Sequence, residues 1–321
     1  MSPRSRVVVF TAAAAAVAVA VVVGVVLLQT GPTPGAAAGP KRRPGPPPLT
    51  LELGLRTDAE AKALRRAASE YAQGDHGGAE RDFAQYDSVE ARVGEAFARW
   101  PAGTVDRMNQ LAGLHPDRAV VQLNLGVALY WSGLSGSEDA WRQAAADEPD
   151  SPYAIAAGNL LHPEYAPGIP VFVATAPLPA GFAKLSPPKQ LRTLALDARH
   201  SVQGKLLYGS ALQRLGRPRS AERVFAAAAR EAPRDVEAQV AAAVGRFDKA
   251  RPADSFSRLG PLTRTFPHKA TVRFHLGLLL LWAGEAAEAK HQLRRAIGIE
   301  PASPLAAEAR RYLAELRKAG V

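Results

Sequence analysis

Hydrophobic and polar positions follow two regimes along this chain. Val7 to Leu28 is apolar for 22 residues, with Thr11 its only polar side chain and no charge. At about 1.5 Å per residue such a run reaches across a hydrocarbon layer of roughly 30 Å, so a transmembrane helix over 7–28 is expected. From Asp58 onward, apolar residues recur at three- and four-residue steps broken by glycine and proline, which predicts a succession of short amphipathic helices. Asp58 is placed to cap the first, with Ala61, Leu64, Ala68 and Tyr71 on one stripe and Gly74 at its end. Over Ser303 to Lys318, Leu305, Ala309, Tyr312, Leu313 and Leu316 form an inward stripe. Arg310, Arg311, Glu315, Arg317 and Lys318 face outward, the pattern of a helix that ends a stack.

The helices between these ends repeat. Pro233, Pro267 and Pro301 are spaced by 34, as are Gly209, Ala243 and Gly277. Gly216, Ala250 and Gly284 keep the same step, and so do Ala221, Ser255 and Ala289, then Phe225, Leu259 and Leu293, then Ala228, Leu262 and Ala296. Small residues at fixed offsets let two helix axes approach, and large ones such as Leu207, Tyr208, Phe225, Leu276 and Leu293 fill the space between. Pro218 and Pro252 fall at the first turn of second helices, where a missing N–H costs nothing. Pro233, Pro267 and Pro301 fall just past helix ends. Gly260-Pro261 interrupts one second helix, and a kink is expected there. A helix pair of this size cannot bury its apolar face alone, so several must stack.

With Leu276-Gly277, Gly284, Ala289, Leu293, Ala296 and Pro301 in register, the chain resembles the tetratricopeptide repeat family, in particular membrane-anchored bacterial members. Leu125-Gly126, Gly133, Trp141, Ala144 and Pro149 give a second match one residue short. Gly74, Ala79 and Phe83 give a divergent one without a closing proline. A weaker pair spans Val89 to Leu114. The resemblance implies an all-α fold, an α-solenoid of helix–turn–helix repeats behind one N-terminal transmembrane helix. The expected organisation is a short tail (1–6), the transmembrane helix (7–28), a Pro/Gly/Ala-rich linker (29–56), N-terminal repeats (57–161), a Pro-rich insert (162–188), C-terminal repeats (189–303) and a capping helix (304–321).

The insert breaks the period. Seven prolines surround Val171-Phe172-Val173, so no continuous helix forms. Two readings follow. It is a boundary between repeat blocks, or an apolar extended segment lying in the array's own groove that a ligand must displace.

Composition narrows the chemistry. There is no cysteine, which excludes disulfides, thiolate metal sites and a cysteine nucleophile. The seven histidines form no HExxH pair, and no phosphate loop, GxGxxG or GxSxG occurs. No enzyme, cofactor or metal is therefore expected; an enzymatic site would have to lie within Tyr165–Ser186. The net charge of +10 is uneven. Thr57 to Ser186 holds 10 Lys/Arg against 17 Asp/Glu, and Pro187 to Val321 holds 24 against 12. The basic half leaves open a surface for an anionic polymer, lipid or nucleic acid, although no nucleic-acid module is visible and nucleic acid is not the expected partner.

The family's usual binding surface is the concave face built by first helices. By resemblance, the candidate peptide-binding residues are Gln122, Asn124, Lys205, Gln213, Gln239, Arg246, Arg273 and His275, with the arginines favouring acidic groups. The expected function is a membrane-tethered scaffold for protein or peptide binding in cell-envelope assembly or complex organisation. Arg4 and Arg6 lie hard against the span, while Lys41, Arg42 and Arg43 lie further beyond it. The expected orientation therefore puts the N-terminus in the cytoplasm and the repeats outside. The alternative is a cleaved signal, with Ala36-Ala37-Ala38 as the processing site, and secretion. The sequence is silent on oligomeric state.

Overall fold

The computed structural model describes residues 45–320. The stretch expected to cross the membrane, 7–28, lies outside them. Among the described residues there are fifteen α-helices, one short 3-10 turn and no strand. None of these helices is long and apolar enough to cross a membrane. The chain divides between Leu161 and His162 into two compact units, each with its own core.

The N-terminal unit holds α1 (Ala59–Gln73), α2 (His76–Phe83), α3 (Val89–Ala98), α4 (Thr104–Leu114), α5 (Ala119–Ser132), α6 (Ser137–Asp147) and α7 (Pro152–Leu161). The C-terminal unit holds α8 (Pro187–Asp197), α9 (Val202–Arg214), α10 (Pro218–Glu231), α11 (Val236–Val244), α12 (Ala253–Thr265), α13 (Ala270–Trp282), α14 (Ala286–Ile299) and α15 (Pro304–Lys318). Each helix packs chiefly on its sequence neighbour, and first helices also touch the next first helix, as α11 does α13. The pairs α9–α10, α11–α12 and α13–α14 carry the 34-residue period.

Short polar side chains start these helices. Asp58 Oδ1 accepts from Ala61 N at 2.9 Å, Asp235 Oδ1 from Ala238 N at 3.0 Å, and Ser303 Oγ from Ala306 N at 3.1 Å. Each satisfies an N–H that has no partner inside its helix. The turns within pairs reverse at Gly74, Gly133, Gly216 and Gly284, all at positive φ.

The cores explain the fixed offsets. Phe225 of α10 is fully buried, and a Cβ on Gly209 would overlap its ring. Trp141 stands in the same relation to Gly126, and Leu293 lies in tight contact, 3.0 Å from where a Cβ on Gly277 would sit. Glycine on one helix thus makes room for a large side chain on its partner, whose burial contributes roughly 1.5–3 kcal/mol.

One expectation needs correction. α12 runs without a break through Pro261. The ring is exposed, and the Ser257 carbonyl left without an N–H donor belongs to an exposed residue. The last residues of the linker dock on the N-terminal unit. Pro47 and Leu53 are buried, and Leu49 and Leu51 pack against the N-terminal core. The alternation of Leu49, Leu51 and Leu53 puts three apolar side chains on one side of an extended segment, enough to dock it.

Candidate functional site

In both units, first helices present polar side chains to an extended stretch of the chain's own backbone. In the N-terminal unit this strap is residues 47–53. Tyr71 of α1 donates its hydroxyl to Pro47 O at 2.6 Å. Asn124 of α5, fully buried, accepts from Thr50 N at 3.1 Å and donates to Thr50 O at 2.9 Å, as a neighbouring strand would. The Tyr153 hydroxyl of α7 accepts from Glu52 N at 3.0 Å and lies 3.2 Å from Glu52 O. Burial pushes both phenols and the Glu52 carboxyl above their ordinary pKa, with Arg65 opposing the shift at Glu52.

In the C-terminal unit the strap is residues 166–175, from the Pro-rich insert. Ala166 N donates to Trp282 O, at the end of α13, at 3.1 Å. Gln213 of α9 accepts from Phe172 N at 2.8 Å and donates to Pro170 O at 3.3 Å. His275 of α13 accepts from Val173 N through Nε2 at 3.0 Å. Glu237 of α11 takes Thr175 N at 2.6 Å and Thr175 Oγ1 at 3.0 Å. Phe172 is fully buried, stacked on His275 at 4.6 Å between centroids and edge-on to Phe225 at 5.4 Å.

The electrostatics follow from burial. His275 Nδ1 lies 2.8 Å from Thr271 O, so the proton sits on Nδ1 and Nε2 is free to accept. Burial brings its pKa down to about 4. Burial raises the Glu237 carboxyl, opposed by its bonds to Thr175. Lys249, buried after α11, is brought down to about 7 by burial, with Glu164, just ahead of the strap, opposing.

The eight candidate residues separate by their place in the repeat. Asn124 and His275 lie two residues before the small residue of the first helix, and both grip a strap; Gln213 does so from the following turn. The residues four before it are mortar between helices. Gln122 donates to Pro116 O at 3.0 Å. Gln239 donates to Ala229 O and Pro233 O, both at 3.3 Å. Arg273 donates to Thr263 O at 3.1 Å and Gln292 Oε1 at 3.4 Å. Lys205 pairs with Glu231 at 2.7 Å. Arg246 pairs with Glu222 at 3.8 Å. The two arginines expected to read acidic groups are thus engaged within the repeats.

Sequence reasoning missed Tyr71, Tyr153 and Glu237. Tyr71 read as a stripe residue of the first helix. The alternation at Leu49, Leu51 and Leu53 was the signal for the first strap. Several other arginines are also paired, including Arg219 with Glu222 and Asp248, and Arg251 with Asp248. Among the described residues, no three His, Cys, Asp or Glu side chains gather to hold a metal.

No protein-family profile matches the chain, and no curated protein matches it. Solved structures do. One is a tetratricopeptide repeat protein from Parabacteroides merdae, 12% identical, covering 80% of this chain and 98% of its own, with a TM-score of 0.32. Another is the TPR2AB domain of yeast Sti1 in complex with pHSP90. It is 12% identical, covers 82% of this chain and 98% of its own, and has a TM-score of 0.28.

Proposed function

We propose that this chain is a membrane-tethered scaffold that binds protein or peptide on its first-helix faces, with the repeats on the extracytoplasmic side. One observation carries the binding part. Each face holds an extended backbone, and it does so with side chains drawn from separate repeats. Side-chain amides, phenols and an imidazole aimed at main-chain N–H and C=O recognise extended chain as such. The apolar stretch 7–28 and the arginines before it support the tether and its orientation. A role in cell-envelope assembly or complex organisation follows from that placement.

Two experiments test this reading. A photo-cross-linking side chain at Ala174, within the C-terminal strap, should give a discrete adduct with a second protein. The same side chain at exposed Arg223 of α10 should not. Adducts equal at both positions, or none at Ala174, would refute the binding part. A topology reporter fused after Val321 should be active only outside; activity inside would overturn the orientation.

A further inference from the structure

We infer that the first-helix face of the C-terminal unit is a site for an extended, non-acidic peptide bearing phenylalanine and, three residues later, a hydroxyl residue, and that residues 166–175 are its resident intramolecular occupant. This rests on the peptide-binding reading above and specifies its ligand.

The strap's contacts sort into two kinds. Those of Gln213 and His275 go to main-chain atoms of Pro170, Phe172 and Val173, which any residue but proline at the two donor positions supplies. They set the extended conformation and the register. Two side chains are read directly. Phe172 fills the space between His275 and Phe225, stacked on one ring and edge-on to the other. Thr175 gives its hydroxyl to Glu237, which also takes its N–H. Phe172 and Thr175 are three positions apart, so the recognised unit is Phe-x-x-Thr, with serine supplying the same hydroxyl.

Glu237 sets the charge rule. A carboxylate that accepts two bonds from one residue has no place for an acidic or phosphorylated residue there, since like charges at that distance repel. No arginine of the candidate set offers a counter-charge, because Arg246 and Arg273 are engaged elsewhere. An acidic partner surface is therefore not what this face selects. It selects an apolar chain with one hydroxyl.

The strap has the anatomy of a removable occupant. It is held by hydrogen bonds from the first helices α9, α11 and α13 and by the packing of Phe172 on Phe225 of α10, and it adds no regular secondary structure of its own. The stretch that follows, 176–186, is largely exposed and rich in proline.

The probe is a labelled ten-residue peptide with the sequence of residues 168–177, titrated into the full chain. The Phe172→Ala chain has a weakened occupant and an intact face, and should bind the peptide at least about ten-fold more tightly than the wild type. Thr175→Glu in the chain should loosen the strap in the same direction. Peptides carrying Phe172→Ala or Thr175→Glu should not bind. Adding Gln213→Ala to the Phe172→Ala chain should cost on the order of ten-fold. Equal binding by wild-type and strap-weakened chains, or equal binding of the altered peptides, would overturn the inference. If Phe172→Ala abolishes cooperative melting, hydrogen exchange on the wild type decides. Millimolar peptide should speed exchange at the Phe172 and Val173 amides, and unchanged rates would refute displacement. Should the peptide fail while the Ala174 cross-link to another protein persists, the ligand chemistry falls and the scaffold reading stands; loss of both removes the two together.

Discussion

His275 ties the second strap to its helix only while neutral, because protonating Nε2 removes the lone pair that Val173 N–H uses. Its pKa is about 4 in the folded unit and 6.5 in the unfolded chain. Between those values the unfolded chain takes up a proton that the folded one refuses. Stability is therefore whole above pH 6.5 and falls as pH drops towards 4, by up to about 1.4 kcal/mol per pH unit. Glu237 works oppositely, since a raised carboxyl contributes stability at low pH that is lost as pH rises. His275→Gln keeps an acceptor without a titration, so urea midpoints measured across pH 6.5 to 4 should lose most of their slope. An unchanged slope would assign the dependence elsewhere. At Gly209 the effect is steric. Gly209→Ala should cost about 1–3 kcal/mol in denaturant unfolding, because the added methyl meets the Phe225 ring inside a filled core.

At the scale of the element, the period was legible and the facing was not. Glycine, alanine and proline at a 34-residue step report helix crossings and turns, which depend on residue size, and size is written in the sequence. First helices such as α5 and α13 are apolar nearly all round, because they pack against neighbours on several sides. Their few polar residues then carry no signal of direction. Gln122 and Asn124 are two positions apart, yet one fastens its own turn and the other grips a strap. Asn124→Ala removes both bonds to Thr50 and strands its N–H and C=O. It should destabilise the N-terminal unit by about 1–3 kcal/mol, read as a lower urea midpoint. α12 gives the opposite sign. Pro261→Ala restores a helix hydrogen bond at an exposed position, and should raise the melting temperature of the C-terminal unit by an amount equivalent to about 1–3 kcal/mol. A lowered melting temperature would mean that the proline matters for something other than helix continuity.

At the scale of the whole molecule, the same device occurs twice. An extended segment lies ahead of each set of helices, at 47–53 and at 166–175, and folds onto the first helices that follow. Sequence alone showed the second segment as a break in the period and left two readings open. Only the contacts of Gln213, Glu237 and His275 decide that it lies on the first-helix face. The charge asymmetry, conspicuous in composition, is partly neutralised locally by pairs such as Arg219 with Asp248 and Lys205 with Glu231.

A covalently attached occupant also governs timing. A short tether holds the strap at an effective concentration in the millimolar range, so a free ligand competes against that standing local supply. An incoming peptide must wait for the strap to leave. Its observed association rate should climb with concentration and then level off at the rate of strap departure. In stopped-flow mixing, Thr175→Glu should lift that plateau, and a rate still rising linearly at millimolar peptide would show that nothing has to leave first.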